Sequence, residues 1–134
     1  MPFITWADEL YSIKNEHIDA QHKHLVGLVN RMHEAVVVGS EQSVLGQILE
    51  ELIDYTVYHF RSEEELFTKH DYPQFEIHRQ QHNALTEQVL KLKTEFEEGS
   101  ATISYEVLDF IHDWLTNHMA SSDRGFLYFM ESKS

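Results

Sequence analysis

Cysteine is absent from the 134 residues, so disulfides, thiolate catalysis and cysteine-ligated zinc are excluded together. Glycine and proline are scarce, five and two, too few for a collagenous, low-complexity or linker-rich chain. Positive charge is also short: ten Lys and Arg stand against 23 Asp and Glu, a net charge of -13. Such a surface repels phosphate backbones and anionic lipid, which argues against nucleic-acid partners and stable membrane association. No run of 18 apolar residues occurs, and "MPFITWADELYSIK" lacks a basic region followed by an apolar stretch. Neither a spanning helix nor a signal peptide is expected, and the cytoplasm is the default location.

What remains is a chain that is 42% hydrophobic and 25% charged, the composition of a folded globule whose length suits one domain over residues 1 to 134. It also carries ten histidines, a number that calls for a use. Breakers at Gly39-Ser40, Asp71-Tyr72-Pro73 and Gly99-Ser100 divide it into four long segments.

Each segment carries an apolar stripe at the three-and-four spacing of a packed helix. The first holds Ile18, His22, Leu25, Val29, Met32 and Val36, and the second Leu45, Leu49, Leu52, Thr56, His59, Glu63 and Leu66. The third holds Phe75, His78, His82, Leu85, Val89, Leu92 and Phe96, and the fourth Val107, Ile111, Trp114 and His118. Four helices joined by short turns predict an all-α fold, an antiparallel up-down-up-down four-helix bundle. Residues 1 to 16 are expected as an arm laying Phe3, Ile4 and Trp6 over the bundle, and residues 124 to 134 as a short tail.

Five histidines and a glutamate interrupt these stripes, and the turns give their heights. His22 lies 17 residues before Gly39 and His59 19 after Ser40; Glu63 lies nine before Tyr72 and His82 nine after Pro73; His118 lies 18 after Ser100 and His82 17 before Gly99. At about 1.5 Å per residue the mismatches come to roughly 3 Å or less. All four helices present polar side chains at one level of the core.

A lone histidine on an apolar face is most often a hydrogen-bonded core residue. Six polar groups at one level are different, because each buried without a partner costs about 1–3 kcal/mol, and together they would consume the stability of a small domain. A cation compensates, since neutral imidazole and ionised carboxylate are the forms that bind one. His59 with Glu63, and His78 with His82, stack one helical turn apart. Five imidazoles exceed what one accessible ion needs, so two ions sharing carboxylates are expected. The second shared carboxylate is Asp123, five residues after His118 and about 140° off its face in a straight helix. Reaching inward requires a bulge near "ASSD", where Ser122 and Gly125 suit a helix ending. His24 is expected to face solvent, His33, His70 and His112 lie too far along the axis, His17 is set aside, and Glu64 and Glu65 are expected as exposed neighbours of Glu63.

The strings "HIDAQHKHL", "HFRSEEELF", "HRQQH" and "WLTNHMASSD" resemble the ligand motifs of the hemerythrins: a single His, then H-x-x-x-E, H-x-x-x-H and H-x-x-x-x-D. The stretch "ITWADELYSIKNEHIDAQH" is similar to the N-terminus of single-domain bacterial members, so the likeness covers nearly the whole chain. It implies two iron ions in a non-haem di-iron centre with a bridging oxo or hydroxo group. His78, His82 and His118 would hold one iron, His22 and His59 the other, with Glu63 and Asp123 bridging. One coordination position stays open for dioxygen on the iron with fewer ligands. The implied function is reversible dioxygen binding, as a carrier, store or delivery protein and not an enzyme, with an oxygen-consuming enzyme as a partner. Resemblance and stripe position make Leu115, Trp114, Phe60 and Ile18 the walls of the oxygen pocket; for Trp114 and Phe60 plain core packing is an equally good reading.

Three rival functions share the bundle. A di-iron oxidase or ferroxidase usually brings Glu-x-x-His pairs on two helices and four carboxylates, and no E-x-x-H occurs here. An oxygen-sensing module needs an output element, for which "FLYFMESKS" offers little. A zinc or manganese bundle is compatible with the ligand types and is separated by elemental analysis.

Overall fold

The computed structural model describes residues 3–99, 103 and 105–133. A single turn, α1 (Asp8–Tyr11), precedes α2 (Glu16–Val37), α3 (Gln42–Lys69), α4 (Phe75–Glu97) and α5 (Tyr105–Asn117); a π-helical turn, His118–Asp123, then joins α5 to α6 (Arg124–Ser132). The four long helical runs form the antiparallel bundle that the stripes predict.

Chain chemistry stops each helix. After α2, Ser40 N–H donates to the Ala35 carbonyl at 2.9 Å and Gly39 N–H to that of Val36 at 3.1 Å. This pair of bonds requires a left-handed residue, and Gly39 supplies it at φ +74°. After α3 the same role falls to Asp71 at φ +52°, with Tyr72 N–H on the Phe67 carbonyl at 3.0 Å, and Pro73 prevents continuation. At the third breaker Gly99 again turns left-handed, while Ser100 lies outside the described residues.

The N-terminal arm covers the bundle. Ile4 is buried; its N–H donates to Asn30 Oδ1 at 2.7 Å, and Asn30 Nδ2 donates to its carbonyl at 2.9 Å. Phe3 stacks on His33 with ring centroids 4.2 Å apart.

One expectation gains detail and another needs correction. The short tail expected over residues 124 to 134 is helical as far as Ser132, where α6 buries Phe126 and Leu127. The inward face of α5 is centred on Leu108, Ile111 and Leu115, followed by buried Met119, with Val107 and Trp114 only half-buried. A stripe written one residue out of phase still looks periodic, because Val107 and Trp114 are apolar too.

The core has two ends. Ile13, Ile18, Phe67, Tyr72, Phe126 and Leu127 fill one; Leu25, Val29, Leu52, Ile111, Leu115 and their neighbours fill the other. The polar level of His22, His59, His82 and His118 lies between them.

Candidate metal centre

Helix periodicity delivers the ligand-type side chains. His22 comes from the second turn of α2, His59 and Glu63 from successive turns of α3, and His78 and His82 from the first turns of α4. His118 opens the π-helical turn and Asp123 closes it. An i→i+5 turn takes up one extra residue, which swings Asp123 back to the face of His118. The bulge expected near "ASSD" is present, but the helix does not end there. It continues as α6.

All seven residues are buried, with Glu63, Asp123 and His22 at zero exposure. Glu63 Oε1 lies 3.1 Å from His59 Nε2, 3.3 Å from His82 Nε2 and 3.5 Å from His118 Nε2. Asp123 Oδ1 lies 2.7 Å from His78 Nε2 and 2.9 Å from His118 Nε2, and its Oδ2 lies 2.8 Å from His22 Nε2. The atoms fall into two overlapping sets, each within 4.8 Å: Glu63, His78, His82, His118 and Asp123 in one, and His22, His59, Glu63 and Asp123 in the other.

These short approaches are poorly aligned as hydrogen bonds. Nε2 of His22, His59 and His78, and both oxygens of Glu63 and Asp123, have no aligned partner, a costly arrangement for dry polar atoms. The tautomers sharpen the point. His82 Nδ1 donates to Glu64 Oε2 at 3.0 Å, and His59 Nδ1 to Gln21 Oε1 at 2.6 Å. Each ring therefore turns an unprotonated Nε2 inward in its neutral form. His82 Nε2 then meets His118 Nε2 at 3.2 Å, and the His59 lone pair meets a carboxylate oxygen. Acceptors converging on acceptors are stable only around cations or protons.

In the metal-free cluster protons fill part of that need. Burial opposes the charged form of His22, but adjacent Asp123 and Glu63 outweigh it and push the pKa up to about 10. His118 is pushed up to about 9 by the same balance. Burial opposes ionisation of Glu63 and Asp123 too, yet the surrounding imidazoles hold both below the usual carboxylate range. Two imidazolium ions against two carboxylates leave the dry cluster near neutrality. A pair of divalent cations fits in their place, because both carboxylates reach both sets.

Two residues outside the expected set support the rings. Glu64 is a correction: it is partly buried and accepts from His82, whereas Glu65 is exposed as expected. Buried Gln21 holds His59 and donates through Nε2 to Ser62 Oγ at 3.1 Å, with exposed His17 also 3.1 Å away. Adjacency to ligand positions was the available signal, but which neighbour turns inward depends on the facing helix. Outer partners of this kind fix ring orientation. Replacing Gln21 by Leu should therefore weaken cation retention at the His22 and His59 set by about 10- to 100-fold, read by competition with a chelator. Unchanged retention would remove Gln21 from the site.

Aromatic rings brace the other side. Phe60 stacks on His82 with centroids 3.7 Å apart and planes 3° from parallel, and Trp114 on His118 at 4.5 Å and 16°. Both also line, with Leu115, a cavity of about 40 Å³ that reaches His59 and His118. Ile18 does not line it. That side chain shares a helical face with His22 but stands one turn toward the other core end, beside Ile13 and Phe67. His24 is exposed, and its ring lies against Tyr55. His33 and His112 flank Phe3, and His70 caps α3.

Fold and site define a class: all-helical bundle proteins with a buried histidine-carboxylate cation centre. A family model described as the hemerythrin HHE cation binding domain matches residues 14–129, and the chain belongs to the hemerythrin family. It is 33% identical over 124 residues to the bacteriohemerythrin of Methylococcus capsulatus, covering 92% of this chain and 94% of that protein. It is 30% identical over 126 residues to that of Stenotrophomonas maltophilia, covering 94% and 80%. A crystal structure of wild-type hemerythrin superposes at TM-score 0.87 with 33% identity, over 91% of this chain and 93% of that one. Among the described residues no helix is long and apolar enough to cross a membrane.

Proposed function

We infer that the chain, acting as one domain, binds dioxygen reversibly at a non-haem pair of irons and turns over no substrate. His78, His82 and His118 would hold one iron, His22 and His59 the other, and Glu63 and Asp123 both. The observation that carries the reading is the small, apolar-lined cavity abutting the ligand cluster. One water needs about 10–15 Å³ by the same measure, so about 40 Å³ suits a diatomic gas and not an organic substrate.

The irons, when bound, supply two electrons and an open coordination position. The chain's own part is to keep charge and protons away. The cavity lining is mostly aliphatic, its polar groups being those of Thr56, His59, His118 and the Trp114 indole, and the Thr56 hydroxyl is engaged, donating to the Leu52 carbonyl at 2.7 Å. An apolar wall offers neither solvation to departing superoxide nor a proton to assist it. Leu115, Trp114 and Phe60 supply that wall, and the last two also brace ligand rings. Such a carrier would store dioxygen or deliver it to an oxygen-consuming enzyme.

The test is optical. The reduced, iron-loaded protein should gain a visible absorption band in air and lose it under vacuum over repeated cycles. Sustained oxygen consumption with a reductant would instead indicate an oxidase, and a native metal other than iron would overturn the assignment. Leu115→Asn should load two irons yet autoxidise at least about tenfold faster, the effect of a barrier lowered by some 1.4 kcal/mol. Equal lifetimes would remove Leu115 from the pocket.

A further inference from the structure

The cavity beside the ligand cluster is lined by all four long helices, so the seams between them are the candidate routes for a gas molecule. The seams are not equivalent. Among the described residues α2 lies close against α3, α3 against α4, and α5 against α2, while α4 and α5 make the sparsest backbone approach of the adjacent pairs. The α2–α5 side is further covered by the arm, whose buried Ile4 joins the cluster of Leu25, Ile111 and Leu115.

The α4–α5 seam carries a surface groove lined by Val89, Leu92, Val107, Phe110 and Ile111, together with two polar side chains. Val89 and Ile111 also line the interior cavity. The groove and the cavity are therefore two sides of the same pair of side chains. Val89 is half-buried and Ile111 is 8% exposed, so the partition is one side chain thick. Phe110 extends the apolar surface of the groove outward at 43% exposure.

We propose that dioxygen reaches the cavity through the α4–α5 seam, passing between Val89 and Ile111. The proposal rests on the oxygen-binding reading above. Dioxygen is apolar and crosses such a route without losing hydrogen bonds, whereas water and hydrated ions would leave theirs behind. The route thus admits the ligand while excluding what would assist its loss as superoxide. Opening it takes rotamer changes of two side chains, half-buried Val89 and buried Ile111, rather than a collective helix motion.

A side chain that forms a barrier alters association and dissociation by the same factor and leaves affinity unchanged. Flash photolysis of the iron-loaded protein should show association and dissociation both slowing about tenfold in Val89→Phe and both rising in Val89→Ala. The same order should hold for xenon exchange with the cavity of the metal-free protein, followed by xenon NMR. Rates unchanged in both variants, or a change in dissociation alone, would overturn the route. If Val89→Phe does not fold, Val89→Ala decides the matter with the opposite sign. If wild-type protein loads no iron or binds no dioxygen, the functional reading fails, and xenon exchange still decides the route: slowed in Val89→Phe it stands, unchanged it falls.

Discussion

Glu63→Gln should abolish the loading of both irons, lowering iron content after dialysis from two per chain to less than one. The substitution conserves side-chain volume, so core packing is not the variable. What changes is one negative charge at zero exposure, whose Oε1 stands 3.1–3.5 Å from the Nε2 atoms of His59, His82 and His118. Breaking a buried charge pairing of this kind costs about 3–5 kcal/mol, or roughly two to three and a half orders of magnitude in affinity. Because Glu63 belongs to both sets, the loss falls on both cations. A change at His59 alone would weaken only the set with fewer ligands, so iron counts from the two variants separate a shared ligand from a private one. Retention of two irons by Glu63→Gln would show that this carboxylate is not shared.

The positions of His22, His59, Glu63, His78 and His82 were legible because a straight helix repeats every 3.6 residues, and polar side chains on an apolar stripe show their face and height. Asp123 was less so. From His118 it lies about 140° off in an α-helix, Phe126 about 80° and Leu127 about 180°. Taking up one residue in the π-helical turn brings Asp123 to about 40°, Phe126 to about 20° and Leu127 to about 80°. The buried residues of α6 and the carboxylate thus share one phase only after the bulge, and "FLYFM" read in the old phase looks like a tail. Glu64 and Gln21 were hidden for another reason. Local spacing tells which way a side chain starts, but their partners sit on α4 and α3 respectively. Ile18 shows the remaining limit: periodicity gives a face, while the cavity's position along the bundle axis depends on how side chains fill each end.

Removing the metals should lower the melting temperature by more than about 10 °C while leaving the helix content at 25 °C largely intact. Ligands that bind only the native state stabilise it by about 4 kcal/mol at a thousandfold excess over Kd, and each kcal/mol shifts the midpoint of a chain of this size by about 3–5 °C. The fold should survive because α2 to α6 bury apolar clusters at both ends of the site, and because His22 and His118 can carry protons in place of cations. That substitution sets a second signature. Both histidines have pKa values raised above 6.5, to about 10 and about 9, so their contribution is fully present below pH 6.5 and is lost as pH rises through 9 to 10. The chelated protein should therefore weaken further above pH 9, where the loaded protein, with no proton to lose at those rings, should not. Thermal melts of both forms at pH 7 and pH 10 measure the difference. A midpoint indifferent to chelation would mean that the seven buried side chains are satisfied without a cation, and the metal centre would fall with it.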